Sequence, residues 1–167
     1  LTRSLAKPLA PHGITVNAFV AQVGDVRSEK PYSDLDLGSV WQSEVRCPDP
    51  ATAREMIRTI ERVRSEGDSI GGVVGCVVRG VPAGLGEPVF DRLEADIAKA
   101  MLSINATKGF QIGSGYSAAR MRGSQHNDPL FSTEEGVVRS SGDRSGGILG
   151  GISNGEHIVF DVAFKPP

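Results

Sequence analysis

Glycine-rich backbone beside apolar residues is the feature of this sequence that points most directly to chemistry. Four such segments are GDSIGG (67–72), GVPAGLGEPVFD (80–91), SINATKGF (103–110) and GGILGGISNG (146–155). Glycine permits positive φ angles and lets another group approach the main chain closely. Two interpretations stay open: tight packing of one backbone on another, or a planar or anionic ligand lying on the backbone, with Lys108 and Lys165 as charged neighbours.

A second glycine motif, GSGYSA (113–118), matches the loose G-x-G-x-x-A fingerprint of dinucleotide-binding proteins. That fingerprint requires a helix that begins inside it, a surrounding βαβ unit and an acidic residue roughly 20 positions later. The residues that follow are a poor continuation, and no βαβ unit is predicted around them. The pattern therefore favours a glycine bulge in a strand over a nicotinamide site.

Polar clusters offer weaker candidates for catalysis. GSQHND (123–128) gathers His126 with hydroxyl, amide and carboxyl groups, which could form an acid/base cluster, but a polar loop without such a role is the favoured interpretation. The three histidines lie singly, without the spacing of metal ligands, so we predict no metal site. Arg54, Arg58 and Arg62 alternate with glutamates at helical spacing, which indicates a solvated helix face.

Composition limits the class of protein. The chain has 167 residues and a mass of 17.6 kDa, which predicts a single domain, residues 1–167, with a substantial core. A net charge of -2 gives no reason to expect nucleic acid or a membrane surface as a partner. No apolar run approaches the ~18 residues of a membrane span. Two isolated cysteines favour a reducing compartment.

Hydrophobic periodicity predicts the elements that must position these segments. The first predicted elements are a helix broken near Pro8 and Pro11, a strand over 14–21 and a loop or hairpin over 24–45. A helix follows, with Asp49 as N-cap, Pro50 at its first position and Gly67 after its end, and then a strand over 69–80. The remaining predicted elements are a helix that opens at Pro88, with Phe90, Leu93, Ile97 and Met101 on one side, a strand over 110–116, a mobile polar segment over 117–145 and a final strand over 157–164. This order predicts an α+β fold, with helices packed on or between mostly antiparallel sheets.

Seven strings of residues together resemble one protein family. They are RCPDP, GDSIGGVV, GVPAGLGEPVFDRLEADIAKAM, SINATKGFQIGSGY, GSQHND, SGGILGGISNGE and AFKP, and they occur in the order and spacing of the chorismate synthases. Several of the strings are long, so the match is specific, and it covers nearly the whole chain from Gly13 onward.

The resemblance implies a concrete function. Chorismate synthases convert 5-enolpyruvylshikimate 3-phosphate to chorismate and phosphate by a 1,4-elimination that requires reduced FMN, in the shikimate pathway toward aromatic amino acids. It also implies a layered β-α-β sandwich, of which this chain is a part, a homotetrameric assembly, and a location in the cytoplasm, or in the plastid of a plant.

The resemblance further implies five cofactor-binding residues. Asn105 and Ala106 of SINATKG match the pair that touches the flavin, Gly150 of GGILGGIS matches a flavin-contact glycine, and Lys165 and Pro166 match a KPT-type segment. Glycine lets a flat ring lie on the backbone, an amide can hydrogen-bond its polar edge, and a lysine offers a cation to an anion.

Departures from the family pattern limit what we expect of this chain alone. The family also has a GESHG-type segment, a further histidine and an RSS segment, which are not found here, so no catalytic residue is assigned and His126 matches neither catalytic histidine. Asp143 replaces an amide of the family, and Pro167 replaces a threonine.

We therefore expect the central to later portion of a longer enzyme, inactive by itself. An alternative is a non-catalytic remnant or core module that packs with a partner chain. In either case we expect apolar residues such as Phe90, Leu93 and Ile97 to be partly exposed and the free chain to self-associate.

Overall fold

An antiparallel sheet of five strands organises the protein, which a computed structural model describes over residues 8–167. The strands in chain order are β1 (Thr15–Val23), β2 (Val26–Arg27), β3 (Gly72–Arg79), β4 (Thr107–Ile112), β5 (Leu130–Ser132), β6 (Val138–Ser140), β7 (Ile148–Leu149), β8 (Ile152–Ser153) and β9 (Ile158–Phe164). The helices are α1 (Pro50–Ser65), α2 (Leu93–Leu102) and α3 (Gly123–His126). The main sheet has the order β2-β1-β3-β9-β4, while β5 with β6 and β7 with β8 form separate hairpins. The predicted α+β class is confirmed.

Every strand pairing within the described residues is antiparallel. Strand β9 lies between β3 and β4, with Phe160 opposite Cys76 on one side and Ile112 on the other. No βαβ unit therefore surrounds GSGYSA, and the nicotinamide interpretation has no structural basis. That segment instead leaves β4 through Gly113 and Gly115, whose φ angles are 53° and 48°, and enters a 3-10 helix over Gly115–Arg120.

The two faces of the sheet are covered by different parts of the chain. Alternate residues of β9 (Ile158, Phe160 and Val162) are buried on one face, where the apolar side of α2 packs against them. On the opposite face, Phe19 and Val77 are buried under the loop that follows β2, through the side chains Leu35, Leu37 and Val40. Period-2 alternation in the strands thus produces two cores from one sheet.

Helix α1 begins and ends where the sequence predicts. Asp49 is the N-cap, Pro50 occupies the first turn, and Gly67 follows the helix with a φ of 76°. The Asp49 carboxylate accepts hydrogen bonds from Thr52 Oγ1 at 2.5 Å and Lys30 Nζ at 2.9 Å. These bonds, the one from Thr52 first, hold the pKa of Asp49 below its usual value. Met56 is completely buried against Val23 and Cys47, and it fastens α1 to the edge of the sheet.

The second helix begins five residues later than predicted, because its expected first turn is used elsewhere. The N–H of Glu87 donates to the carbonyl of Asp91 at 2.8 Å, which closes residues 87–91 into a turn. The N–H of Leu93 donates to the carbonyl of Gly151 at 2.9 Å, so α2 starts where β7 and β8 meet it. Leu93, Ile97 and Met101 pack on the sheet, but Phe90 is 90% exposed.

Other boundaries also differ from the sequence prediction. Strand β4 covers Thr107–Ile112 rather than 110–116, because the two positive-φ glycines turn the chain away from the sheet. The polar segment 117–145 contains α3 and the β5–β6 hairpin, neither of which was predicted. The broken helix at the start falls largely in residues 1–7, which lie outside the described part; Ala10–His12 form a 3-10 turn.

Truncation of Met56 tests the attachment of α1. We expect Met56→Ala to lower the free energy of unfolding by about 2–5 kcal/mol, since it leaves a cavity at a completely buried site. Urea denaturation measures the change. Ile60→Ala on the same helix, where the side chain is 37% exposed, is the control and should cost clearly less. Equal costs would contradict the proposed packing.

Acid titration tests the capping network at Asp49. Because the folded-state pKa is lowered, Asp49 stabilises the fold above its unfolded pKa of about 3.9, and this contribution is lost as pH falls through the folded pKa. Asp49→Asn should therefore be less stable than wild type at pH 7, and the difference should shrink at about pH 3. Asp25→Asn, at an exposed residue, is the control. A difference that does not change with pH would contradict the network.

Candidate functional site

Four of the five predicted cofactor residues, Asn105, Ala106, Lys165 and Pro166, lie at one corner of the sheet. Asn105 and Ala106 form the turn between α2 and β4, and Ala106 has a left-handed backbone with φ 69°. The N–H of Lys165, just past the end of β9, donates to the carbonyl of Ala106 at 3.0 Å. This bond holds the two segments together, so the corner of Asn105, Ala106 and Lys165 is built by the main chain.

The polar groups of this corner are accessible. Asn105 and Lys165 are exposed, and the Asn105 amide makes no hydrogen bond to any residue from 8 to 167. Lys165 Nζ donates to the carbonyl of the adjacent Pro166 at 2.9 Å. Pro166 itself packs against the backbone of Gly71, which has no room for a side chain there. An amide and a cation are therefore both exposed at this corner, and these are the kinds of group that could recognise a polar ring edge and an anionic group.

Gly150 lies away from this corner. It is exposed in the turn between β7 and β8, with a φ of 62°. Its hairpin joins the sheet near Val159, whose N–H donates to Gly146 O at 3.3 Å. The turn at Gly150 lines the same hollow as Phe110, whose strand partner Val162 lies three residues before Lys165, and within residues 8–167 no hydrogen bond joins Gly150 to the corner. The structure thus joins Asn105, Ala106, Lys165 and Pro166 but not Gly150.

A shallow hollow of about 580 Å³ adjoins Gly150. Its floor is apolar, formed by Phe110, Ile112 and Ile148, and His126 and Arg144 stand at its wall. His126 is half-buried there, and Asp128 of the same motif binds the backbone of Arg144 and Ser145, which also line the hollow.

The glycines of segment 146–155 have two kinds of surroundings, close backbone contact at some positions and open space at another. A Cβ on Gly146 would lie 2.5 Å from the Gly113 nitrogen, and one on Gly147 would lie 2.3 Å from the His157 carbonyl oxygen. At these two positions glycine is required by backbone packing. A Cβ on Gly150 would meet nothing within 4 Å, so this residue presents open backbone to solvent.

Asp128 is a structural residue that the sequence analysis missed. Its carboxylate, only 4% exposed, accepts hydrogen bonds from the N–H groups of Arg144 and Ser145, at 3.2 Å and 2.9 Å. Arg144 NH1 also approaches it at 3.8 Å. One acidic side chain therefore fixes the turn that leads into the glycine segment. The sequence does contain a feature that indicates this role, an aspartate in one loop and polar residues in the loop before Gly146, whose N–H groups a carboxylate could bind.

A second missed feature surrounds His157. The hydroxyl of Tyr32 lies 3.2 Å from His157 Nδ1, and the two rings meet edge to face. Burial, followed by the nearby charge of Asp143, raises the pKa of Tyr32 to about 12. The hydroxyl therefore stays protonated at neutral pH. Asp143, which departs from the family pattern, thus acts on a loop contact and not on the corner at Lys165.

The architecture defines an α+β protein whose helices α1 and α2 attach to a single antiparallel sheet. Residues 4–167 match the sequence model of the family described as chorismate synthase. The chain belongs to the chorismate synthase family. A crystal structure described as chorismate synthase matches 98% of this chain and 52% of that one, at 35% sequence identity with a TM-score of 0.89.

Individual relatives agree with this assignment. The chain is 51% identical to chorismate synthase of Flavobacterium psychrophilum over 163 residues, which are 98% of this chain and 44% of the relative. It is 56% identical to chorismate synthase of Opitutus terrae over 154 residues, or 92% of this chain and 42% of the relative. The chain therefore spans less than half the length of these relatives. Within residues 8–167, no helix combines the length and apolarity needed to cross a membrane.

Paired alanine substitutions test the two roles of glycine. Gly150→Ala should cost only the strain of a left-handed backbone, about 1–2 kcal/mol in the free energy of unfolding. Gly147→Ala should cost more, because its Cβ would also collide with the His157 carbonyl. Thermal and urea unfolding compare the two variants. If Gly150→Ala is as damaging as Gly147→Ala, then Gly150 is a packing residue and not open backbone.

Proposed function

We propose that this chain is the central to later part of a chorismate synthase, which converts 5-enolpyruvylshikimate 3-phosphate to chorismate and phosphate by a reduced-FMN-dependent 1,4-elimination. Membership of the family supports the reaction. The observation that supports the site is the hydrogen bond from the Lys165 N–H to the Ala106 carbonyl, which joins the two segments that carry the exposed residues Asn105 and Lys165. We treat residues 1–167 as one domain of this enzyme.

Each residue of the corner has a role that fits the cofactor. The Asn105 amide can donate and accept hydrogen bonds at the polar edge of a flavin ring. Lys165 supplies a positive charge for an anionic flavin or a phosphate. Ala106 and Pro166 fix the backbone that carries these two groups. When bound, reduced FMN supplies the electron-rich ring that the elimination requires.

Gly150 would provide a separate contact. Its open backbone accepts a flat group without a steric conflict, and it lines the same hollow as Phe110, whose strand partner Val162 lies three residues before Lys165. Both positions can touch one cofactor only if that molecule extends along the sheet. Otherwise the two positions serve different molecules in an assembly.

The strength of these contacts indicates what the chain can do alone. Micromolar binding requires about 8 kcal/mol. A hydrogen bond to a charged group contributes about 1.5–3 kcal/mol, and less when the charge is exposed and screened by salt. The corner therefore falls short of micromolar affinity. We infer weak FMN binding and no turnover by the isolated chain, and a homo-oligomeric, cytoplasmic enzyme as its functional form.

A second candidate function is a non-catalytic module that packs with a partner chain. The exposed apolar side chains favour it, since Phe90, Val89 and Tyr116 are 90%, 66% and 81% exposed. The two candidates differ in whether Lys165 contributes to flavin binding.

An anaerobic titration with reduced FMN tests the corner. We expect a dissociation constant weaker than micromolar for the wild-type chain, and Lys165→Ala should weaken binding by about tenfold at low salt, because it removes a charged hydrogen bond. Lys99→Ala is the control, since Lys99 is also exposed, lies on α2 and has no proposed role in the site. Equal effects of both substitutions would indicate charge attraction without a site.

Turnover measured on the same sample tests whether the isolated chain lacks catalytic activity. The chain with reduced FMN and 5-enolpyruvylshikimate 3-phosphate should release no phosphate above the background without protein. Release of phosphate at the rate of a complete chorismate synthase would show that residues 1–167 contain their own acid/base groups.

A further inference from the structure

One asparagine of the chain is followed directly by glycine, and this pair lies in the turn between β8 and β9. The pair is Asn154 and Gly155; the other asparagines are followed by alanine or aspartate. Gly155 has a left-handed backbone with φ 86°, and a Cβ built on it would approach only Ala83, at 3.7 Å. The turn is therefore open at the glycine, whose main-chain nitrogen has no side chain of its own residue to shield it.

The side chain of Asn154 is folded back onto the main chain that follows it. Its Oδ1 accepts a hydrogen bond from the Glu156 N–H at 3.0 Å. A bond from an asparagine side chain to the N–H two residues later closes a turn of its own, which brings the amide carbon over the intervening peptide nitrogen, here that of Gly155. A donor at a carbonyl oxygen also stabilises the negative charge that develops there when a nucleophile adds to the carbon. The amide is therefore both positioned and polarised.

The Gly155 nitrogen is available as the nucleophile. Its N–H donates to no group among residues 8–167, whereas the N–H groups on either side are occupied. That of Asn154 donates to the Gly147 carbonyl at 3.1 Å. This bond lies before the atoms that must move, since ring closure rotates the Cα–C bond and the side-chain bonds of Asn154. The bond to Gly147 therefore remains in place while the amide carbon approaches the nitrogen.

We propose that Asn154 is a site of spontaneous modification, at which the asparagine converts to aspartate and isoaspartate. The Gly155 nitrogen loses its proton to base and attacks Asn154 Cγ, so that a new C–N bond closes a five-membered succinimide ring. The C–N bond of the side-chain amide breaks, and the amide nitrogen takes up a proton and leaves as ammonia. Water then opens the ring at either carbonyl. The net reaction consumes one water and releases one ammonia, without oxidation or reduction.

The two products differ in their effect on the fold. Aspartate keeps the main chain unchanged, and its carboxylate can accept the same hydrogen bond from the Glu156 N–H. Isoaspartate inserts one methylene group into the main chain before Gly155 and so lengthens the path from β8 into β9. The packing leaves little room for this, since a Cβ on Gly147 would already lie 2.3 Å from the His157 carbonyl oxygen. We therefore expect the isoaspartyl form, and not the aspartyl form, to loosen the β7–β8 hairpin.

Incubation of the wild-type chain at mildly alkaline pH, followed by peptide mapping with mass spectrometry, tests the proposal. We expect the peptide that contains Asn154 to gain the mass difference between an amide and a carboxylic acid and to separate into two isomers. One isomer should accept a methyl group from S-adenosylmethionine in the presence of a protein-isoaspartate methyltransferase. The peptide that contains Asn105 is the internal control, because Asn105 is exposed but precedes Ala106. Conversion of both asparagines to the same extent would overturn the proposal, as would an unchanged Asn154 under conditions that convert a synthetic peptide of residues 150–159.

Two variants separate the chemistry from the fold. Gly155→Ala should slow the conversion by about tenfold or more, since a Cβ shields the nitrogen and alanine disfavours the left-handed backbone of the turn. Circular dichroism verifies that this variant is folded, and a rate equal to that of wild type would exclude Gly155 as the nucleophile. Asn154→Asp carries one product without the inserted methylene and should unfold at the wild-type temperature, whereas the fraction rich in isoaspartate should unfold at a lower one. Equal losses in both would contradict the predicted difference. No flavin or partner chain takes part, so failure here is distinct from failure of the proposed function.

Discussion

Pairing of β9 on both of its edges is the constraint on which the other features depend. Its register with β3 and β4 sets which side chains enter the core under α2 and which face the opposite side. The same register determines where Lys165 emerges, and the hydrogen bond to Ala106 extends the pairing by one more step. A shift of one residue would exchange the two faces of the strand and remove Lys165 from Asn105. The site is therefore a product of the sheet and not of a flexible loop.

The glycines show how one residue type meets two different demands. At Gly146 and Gly147, backbone lies against backbone so closely that a single Cβ is excluded. At Gly150 the surroundings are empty and only the left-handed conformation favours glycine. Spacing along the sequence does not separate these cases, because both occur within one short segment. Distances across the fold are needed to tell packing from accessibility.

Local signals in the sequence were sufficient where the outcome depends on neighbouring residues. Helix α1 follows an N-cap aspartate, begins with a proline and is followed by a glycine. The sequence alone predicts both ends of the helix from these three residues. It does not predict the start of α2, because that start depends on a hydrogen bond from Leu93 to Gly151, which is distant in the sequence. The five predicted cofactor residues came from the resemblance alone. The structure adds that Lys165 and Ala106 are neighbours and that Gly150 is not, a separation fixed by long-range strand pairing.

The turn after β4 and the turn before β7 lie against each other: the Ser114 N–H donates to the Arg144 carbonyl at 2.8 Å, and Gly113 touches Gly146. The chain between them therefore begins and ends at the same place in the fold. The entropy cost of closing a loop at this point increases only slowly with the number of residues in the loop. Homologues can therefore insert or delete residues in this stretch without disturbing the sheet, and differences in length among them should concentrate between Ser114 and Arg144.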